Sequence, residues 1–298
     1  MFKNMIVYRV GPEWSATVAQ IEEGLDGGRF VECGSTQEKS VGWIEPRGEA
    51  NGPLVESVGG QLILKLMIET RALPGSVVTR KVKDRVAKIE ASTGRKPGKK
   101  EIRDIKDDTR LELLPMAFTK QASIGIWIDH KARLLVIDAA SQARTDDVVT
   151  MLVKSMPGLA VTLLNTKVSP TAAMSEWLIS QEAPAGFSVD RECELKAADE
   201  SKAVVRYARH PLDTDEVRKH VQAGKLPTRL ALTWDNRISF VLTENLQIKK
   251  LAFLDVVFDG SSAGKDDGSD ADTAIATVEL RKLLPDLLEA LGGETAAA

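Results

Sequence analysis

Three alternating apolar segments, TRLALTW, RISFVLT and QIKKLAFLD, follow one another between residues 228 and 255, with only Asp235 and Asn236 between the first two. Asp and Asn tolerate the positive φ angles of a tight turn, so this pair closes a hairpin. Parallel strands need a crossover of a dozen or more residues, and none fits here. The chain must therefore fold this stretch as an antiparallel meander. SIGIWID (123–129) and RLLVIDA (133–139) flank His130, Lys131 and Ala132 in the same way. NMIVYRV (4–10), QLILKLMIET (61–70) and AVVRY (203–207) supply further strands. The spacing between them predicts helices from Pro12 to about Leu25, ended by Gly27-Gly28, and near 143–156, 214–223 and 273–291. The fold class is α+β, mainly antiparallel sheets with packed helices.

The formal net charge of −3 hides a polarised distribution. From Arg80 to Lys106 there are eleven Lys and Arg against four Asp and Glu, whereas Asp255 to Glu294 holds three against ten. Within 77–114, Val78, Val82, Val86 and Ile89 recur at helical spacing, and Ile102, Ile105, Thr109 and Leu113 form a matching stripe. Gly94 is placed to end the first helix, and Pro97 falls near the first position of the second. Two helices with narrow apolar stripes pack on each other, giving a protruding basic hairpin with arms of about 20–25 Å. Lys81, Arg85 and Lys88 flank the first stripe, and Lys99, Arg103, Lys106 and Arg110 the second. Arg95, Lys96, Lys99 and Lys100 crowd the tip beside a helix N-terminus, whose free N–H groups favour phosphate. The same charges also suit a plain solvated face, with Asp84, Glu90, Glu101 and Asp104 as i,i+4 partners. No base-reading motif accompanies them, so the expectation is phosphate contact alone.

A weaker basic stretch, seven bases against three acids from Lys202 to Arg229, includes Arg209 in an Arg209-His210-Pro211 segment expected to be extended. On this pattern the chain divides into a central α+β domain (1–76 with 115–170), the basic finger (77–114) and a C-terminal α+β domain (171–298). A flexible Gly/Ser/Asp-rich loop is expected at 260–272.

Signals for catalysis are weak. GRKPGKK (94–100) and GSSAGKD (260–266) are each one residue short of a phosphate-binding loop and lack its Ser or Thr. There is no GxSxG elbow, and the acids of 266–272 lack the order of a calcium loop. His210 and His220 are spaced for no zinc site. Asp129, His130 and Asp138 could serve a metal-dependent nuclease, but a hairpin loop with a solvated Asp-His pair is the preferred reading. Cys33 and Cys193 lie outside any CxxC and read as inert, reduced thiols. No run approaches the about 20 apolar residues of a membrane span, and the N-terminus lacks the apolar stretch of a signal peptide. The expectation is a cytoplasmic protein, not an enzyme, needing neither metal nor cofactor.

Several segments, in order along the chain, resemble the RdgC family of recombination-associated DNA-binding proteins. They are FKNMIVYRV at the start, VECGS and GWIEP at 31–46, LLPMAFTK at 113–120, WID at 127–129 and SEWL at 175–178. HVQAGKLPTRLALTWDNRISFVL at 220–242 and IKKLAFLD at 248–255 complete the set. The resemblance implies a homodimer closed into a ring, with Phe118 and His210 at its interfaces. Double-stranded DNA would pass through a positively lined hole without sequence preference. It also implies restraint of RecA-driven recombination and association with the nucleoid. Two other classes compete with it, the nuclease on Asp129, His130 and Asp138, and an RNA-binding factor.

Overall fold

Ile6, Tyr8 and Val10 point into one hydrophobic core while Met5 and Val7, on the opposite side of the same strand, point into another. This period-two division organises the molecule. The computed structural model describes residues 2–258 and 268–295. Its first half runs β1 (Ile6–Val10), α1 (Val18–Asp26), β2 (Lys39–Ile44), β3 (Val55–Val58), β4 (Gln61–Ala72), α2 (Gly75–Thr93), α3 (Lys99–Leu113), β5 (Phe118–Asp129), β6 (Leu134–Ile137), α4 (Gln142–Ser155) and β7 (Val161–Leu163). The strands form one sheet in the order β2-β4-β5-β6-β1-β7, with β3 also paired to β4. Ile21 and Leu25 of α1 and Val148 and Leu152 of α4 cover the face that holds Tyr8, Leu64, Leu66, Ile126 and Leu135.

The second half runs α5 (Pro170–Ser180), β8 (Phe187–Ala197), β9 (Val204–Ala208), α6 (Asp215–Gln222), β10 (Lys225–Trp234), β11 (Ile238–Thr243), β12 (Ile248–Phe253) and α7 (Gly268–Ala290). Its sheet has the order β12-β11-β10-β8-β9. Leu230, Leu232 and Phe240 from this sheet, Met174 and Trp177 from α5, and Leu280 and Leu284 from α7 share a core with Val7, Trp127 and Val136 of the first sheet. Trp127 is fully buried, and its indole N–H donates to Gln61 Oε1 at 2.8 Å. The two sheets are thus joined through a common apolar interior. All strand pairings in both are antiparallel. The expected α+β class holds.

Asp235 and Asn236 carry φ of 46° and 50°, and the meander follows as β10, β11 and β12. Several boundaries differ from expectation. The first helix starts after Thr17 rather than at Pro12. Thr17 Oγ1 accepts from the Gln20 N–H and Gln20 Oε1 accepts from the Thr17 N–H, a reciprocal cap that outweighs the proline signal. Pro97 precedes the Gly98 N-cap of α3 instead of entering the helix. Arg209 adopts a φ of 56°, so the segment before Pro211 is not uniformly extended. Of the loop expected at 260–272, residues up to 267 lie outside the described ones, and 268–272 already belong to α7.

Candidate nucleic-acid interface

β4 and β5 are the longest strands, and they stay in register from Leu62 opposite Ile128 to Ala72 opposite Phe118. The connection at their far end is the pair α2 and α3, so the basic finger is the elaborated turn of a long hairpin. At 1.5 Å per residue, α2 with 19 residues and α3 with 15 measure about 28 and 22 Å. Gly94 sits at φ 68° and its N–H reaches Glu90 O at 2.9 Å, the left-handed stop that lets the chain reverse. Val78, Val82 and Leu113 are buried between the arms, with Val86, Ile102 and Ile105 packed against them. Thr109 is fully buried; its hydroxyl donates to Ile105 O at 2.6 Å and accepts from Arg85 Nη1 at 3.1 Å.

Two charged residues absent from the sequence expectations fix the root. Arg71 donates to the carbonyl oxygens of Cys33, Gly34, Leu114 and Ala117 at 3.1–3.2 Å, tying the loop before β2 to the end of the finger. Glu69, only 2% exposed, accepts from the Cys33 N–H at 2.5 Å and from Gln121 Nε2 at 3.1 Å. The Cys33 N–H holds its carboxyl below the usual carboxylate range. The signal for both lay in a strand, QLILKLMIETRA, that turns from apolar to charged at its end.

The bases of the finger separate into two sets. Lys81 and Arg85 both pair with Glu112 on the other arm. Arg95 pairs with Glu101 at 2.9 Å, and this bond keeps the Glu101 carboxyl below its ordinary range. Arg110 lies 3.7 Å from Glu38 of the body. Two residues apart on a helix means about 200° of rotation, so Arg110 and Glu112 sit on opposite flanks of α3. Lys81 and Arg85 of α2 therefore turn toward one side of the finger, and Lys99, Arg103, Lys106 and Arg110 line the other. Lys88, Lys96, Lys99, Lys100, Arg103 and Lys106 are exposed and have no ion pair among the described residues. Lys99, Arg103 and Lys106 on one flank thus have no ion pair among the described residues, whereas Lys81 and Arg85 on the other are engaged by Glu112. Exposed ion pairs contribute only about 0–1 kcal/mol, so phosphate can still compete for these two.

Phe118 is 87% exposed at the start of β5, with Met116 and Leu111 exposed nearby. His210 is half-buried, its Nδ1 2.6 Å from Pro211 O and its ring 5.3 Å from Tyr207. Arg209 is exposed. In the second basic stretch Arg206 pairs with Glu194 and Arg218 with Asp215.

The three residues considered for nuclease chemistry each have a structural engagement. Asp129 is fully buried, its Oδ1 accepting from the N–H groups of Lys131 and Ala132 at 2.9 Å. Arg281 Nε approaches its Oδ2 at 2.7 Å as an ion pair rather than an aligned hydrogen bond. His130 stacks on Trp14 at 4.9 Å, and burial pushes its imidazole below the ordinary value. Asp138 accepts from the N–H groups of Lys3 and Asn4. Among the described residues, no three His, Cys, Asp or Glu side chains converge as a metal site. No helix there is long and apolar enough to cross a membrane.

Fold and surface together define a class: an α+β protein of two antiparallel sheets that presents a basic helical finger from the end of its longest hairpin. The family model described as "Putative exonuclease, RdgC" matches residues 1–294. The chain is 45% identical over 303 residues to a protein of Dechloromonas aromatica, covering 100% of this chain and 99% of that one. It is 44% identical to one of Cupriavidus pinatubonensis, covering 99% of each, and 43% identical to one of Bordetella pertussis, covering 98% of each. All three are named recombination-associated protein RdgC. The chain belongs to the RdgC family of recombination-associated proteins.

Proposed function

We propose that this protein binds duplex DNA through its phosphate backbone without reading sequence, encircles it as a closed homodimer, and restrains RecA-driven recombination at the nucleoid without cutting the DNA. The observation that carries this reading is the set of eight exposed bases, Arg80 and Lys83 included, that have no ion pair among the described residues and stand on a finger off the body. The flank of α3 from Lys99 to Arg110 covers eleven steps of 1.5 Å, about 16 Å, which matches the axial rise of roughly five phosphates of one DNA strand. Lys side chains serve as point charges and Arg as bidentate forks, both suited to phosphate oxygens. Occupation of the duplex in this way would obstruct a recombinase filament by exclusion.

The test is a binding series across salt with unrelated duplexes, magnesium present throughout. Affinity should fall by orders of magnitude between about 50 and 200 mM salt if six or more phosphates are engaged. Unrelated duplexes should compete equally, and the DNA should stay at full length. Strong preference for one sequence, for RNA, or shortening of the DNA would overturn the reading.

Phe118 supports the closed dimer. A large aromatic left 87% exposed contributes nothing to the core of one chain, and buried aromatics are favoured interface anchors. Phe118→Ala should leave the chain folded, with its melting temperature little changed, and dimeric in sedimentation through the second interface. Retention of closed circular DNA should drop. A sharp fall in melting temperature with retention intact per folded molecule would instead make Phe118 a core residue.

A further inference from the structure

At the root of the finger the helix-covered face of the first sheet runs out of cover. Ile68 and Ile124 are its last buried residues, and the strands continue beyond them to Ala72 and Phe118. Lys39, Thr70 and Lys120 are direct neighbours across β2, β4 and β5 at this open end. Arg144, in the first turn of α4, closes the far side of a groove of about 300 Å³ floored by Ile68, Ala122 and Ile124. The one acid lining it, Asp147, is held by Lys39 at 2.5 Å. Lys120 and Arg144 are exposed and have no ion pair among the described residues. Glu69 lies on the opposite face by strand alternation and does not enter it.

We propose that this groove holds backbone phosphates of the same duplex that the finger grips, a second contact that rests on the phosphate-binding reading above. Lys39 and Lys120 stand two strands apart, about 10 Å, or the axial rise of roughly three phosphates of one DNA strand. Arg144 supplies a planar fork across the groove from them. The groove also adjoins the finger. Lys39 opens the edge strand β2 and follows Glu38, which Arg110 approaches at 3.7 Å. The α3 bases and the groove bases therefore meet at one end of that sheet edge. A duplex crossing that edge would meet both.

The experiment compares four full-length proteins on one duplex across salt: wild type, Lys120→Ala with Arg144→Ala, Lys99→Ala with Arg103→Ala, and Lys154→Ala as a distant exposed control. The groove variant should lose about two units of salt slope and bind roughly 10- to 30-fold more weakly near physiological salt. The control should match wild type. A groove variant that binds like wild type while the finger variant weakens overturns this proposal and leaves the finger reading standing. Weakening of the groove variant alone supports the groove and removes the finger. No change in either defeats both. An equal loss in the Lys154 control would mark a net-charge effect and also overturn the groove. Should the alanine pair fail to fold, Lys120→Gln with Arg144→Gln decides the matter by the same criteria.

Discussion

Exchanging Lys99 and Arg103 together for glutamate is expected to weaken duplex binding by roughly 10²- to 10³-fold near physiological salt. Each lost phosphate contact removes about 0.9 from the slope of log affinity against log salt, and each reversed charge adds repulsion of similar size. The change should not act through folding. Both positions are exposed; a carboxylate at 99 lies in the first turn of α3, where the dipole favours it by about 0.3–1 kcal/mol, which offsets the about 0.2–0.5 kcal/mol per like-charge i,i+4 contact made with 103 and Asp107. Titrating labelled duplex against the variant, with circular dichroism as the folding control, measures the effect. Lys81→Ala with Arg85→Ala should cost less, because both bases already answer Glu112. Affinity unaltered by the double glutamate would return α3 to the status of a solvated helix.

Asp129→Ala should destabilise the chain by about 3 kcal/mol, because it leaves a buried turn and the Arg281 guanidinium without their acceptor. At 298 residues that corresponds to a fall in melting temperature of roughly 5 °C. Asp129→Asn keeps an oxygen for the two N–H groups and should recover part of the loss. DNA binding per folded molecule should be unchanged in both. Thermal melts and gel shifts in magnesium read the two quantities separately. A stable Asp129→Ala protein that has lost a magnesium-dependent cleavage present in wild type would make this carboxylate catalytic.

Local patterns proved legible and relational ones did not. The finger could be read because helix packing writes itself at three- and four-residue spacing: Val78, Val82, Ile102 and Ile105 are all found on the buried side. The meander could be read because its turn and its alternation are both short-range. Which flank of α3 faces the bases of α2 could not, since it depends on how two helices are rotated against each other, and a single residue, Glu112, reveals the answer. The interior strand β8 carries charges between its apolar residues and meets β10 with shifts of register, so alternation breaks along it. Helix α5 buries Ala173, Met174, Trp177 and Leu178 and exposes Ala172, Glu176 and Ser180, so a single charge marks its solvent face. Lys39, Lys120 and Arg144 are scattered over a hundred residues, and only the register of three strands and the seat of α4 assemble them.

The small core of the finger has a mechanical meaning. Three buried apolar side chains hold its arms together, while the sheets behind it share interiors many times larger. Hydrogen-exchange behaviour follows local stability, and a unit anchored so lightly opens and recloses far more often than the body unfolds. The strands that bear it are paired at eleven positions from Leu62–Ile128 to Ala72–Phe118, a ladder that includes no residue of the two helices. If the finger holds DNA as proposed, a pull on that DNA is absorbed first as the melting of a few helical turns, with the finger free to refold onto the next stretch of backbone.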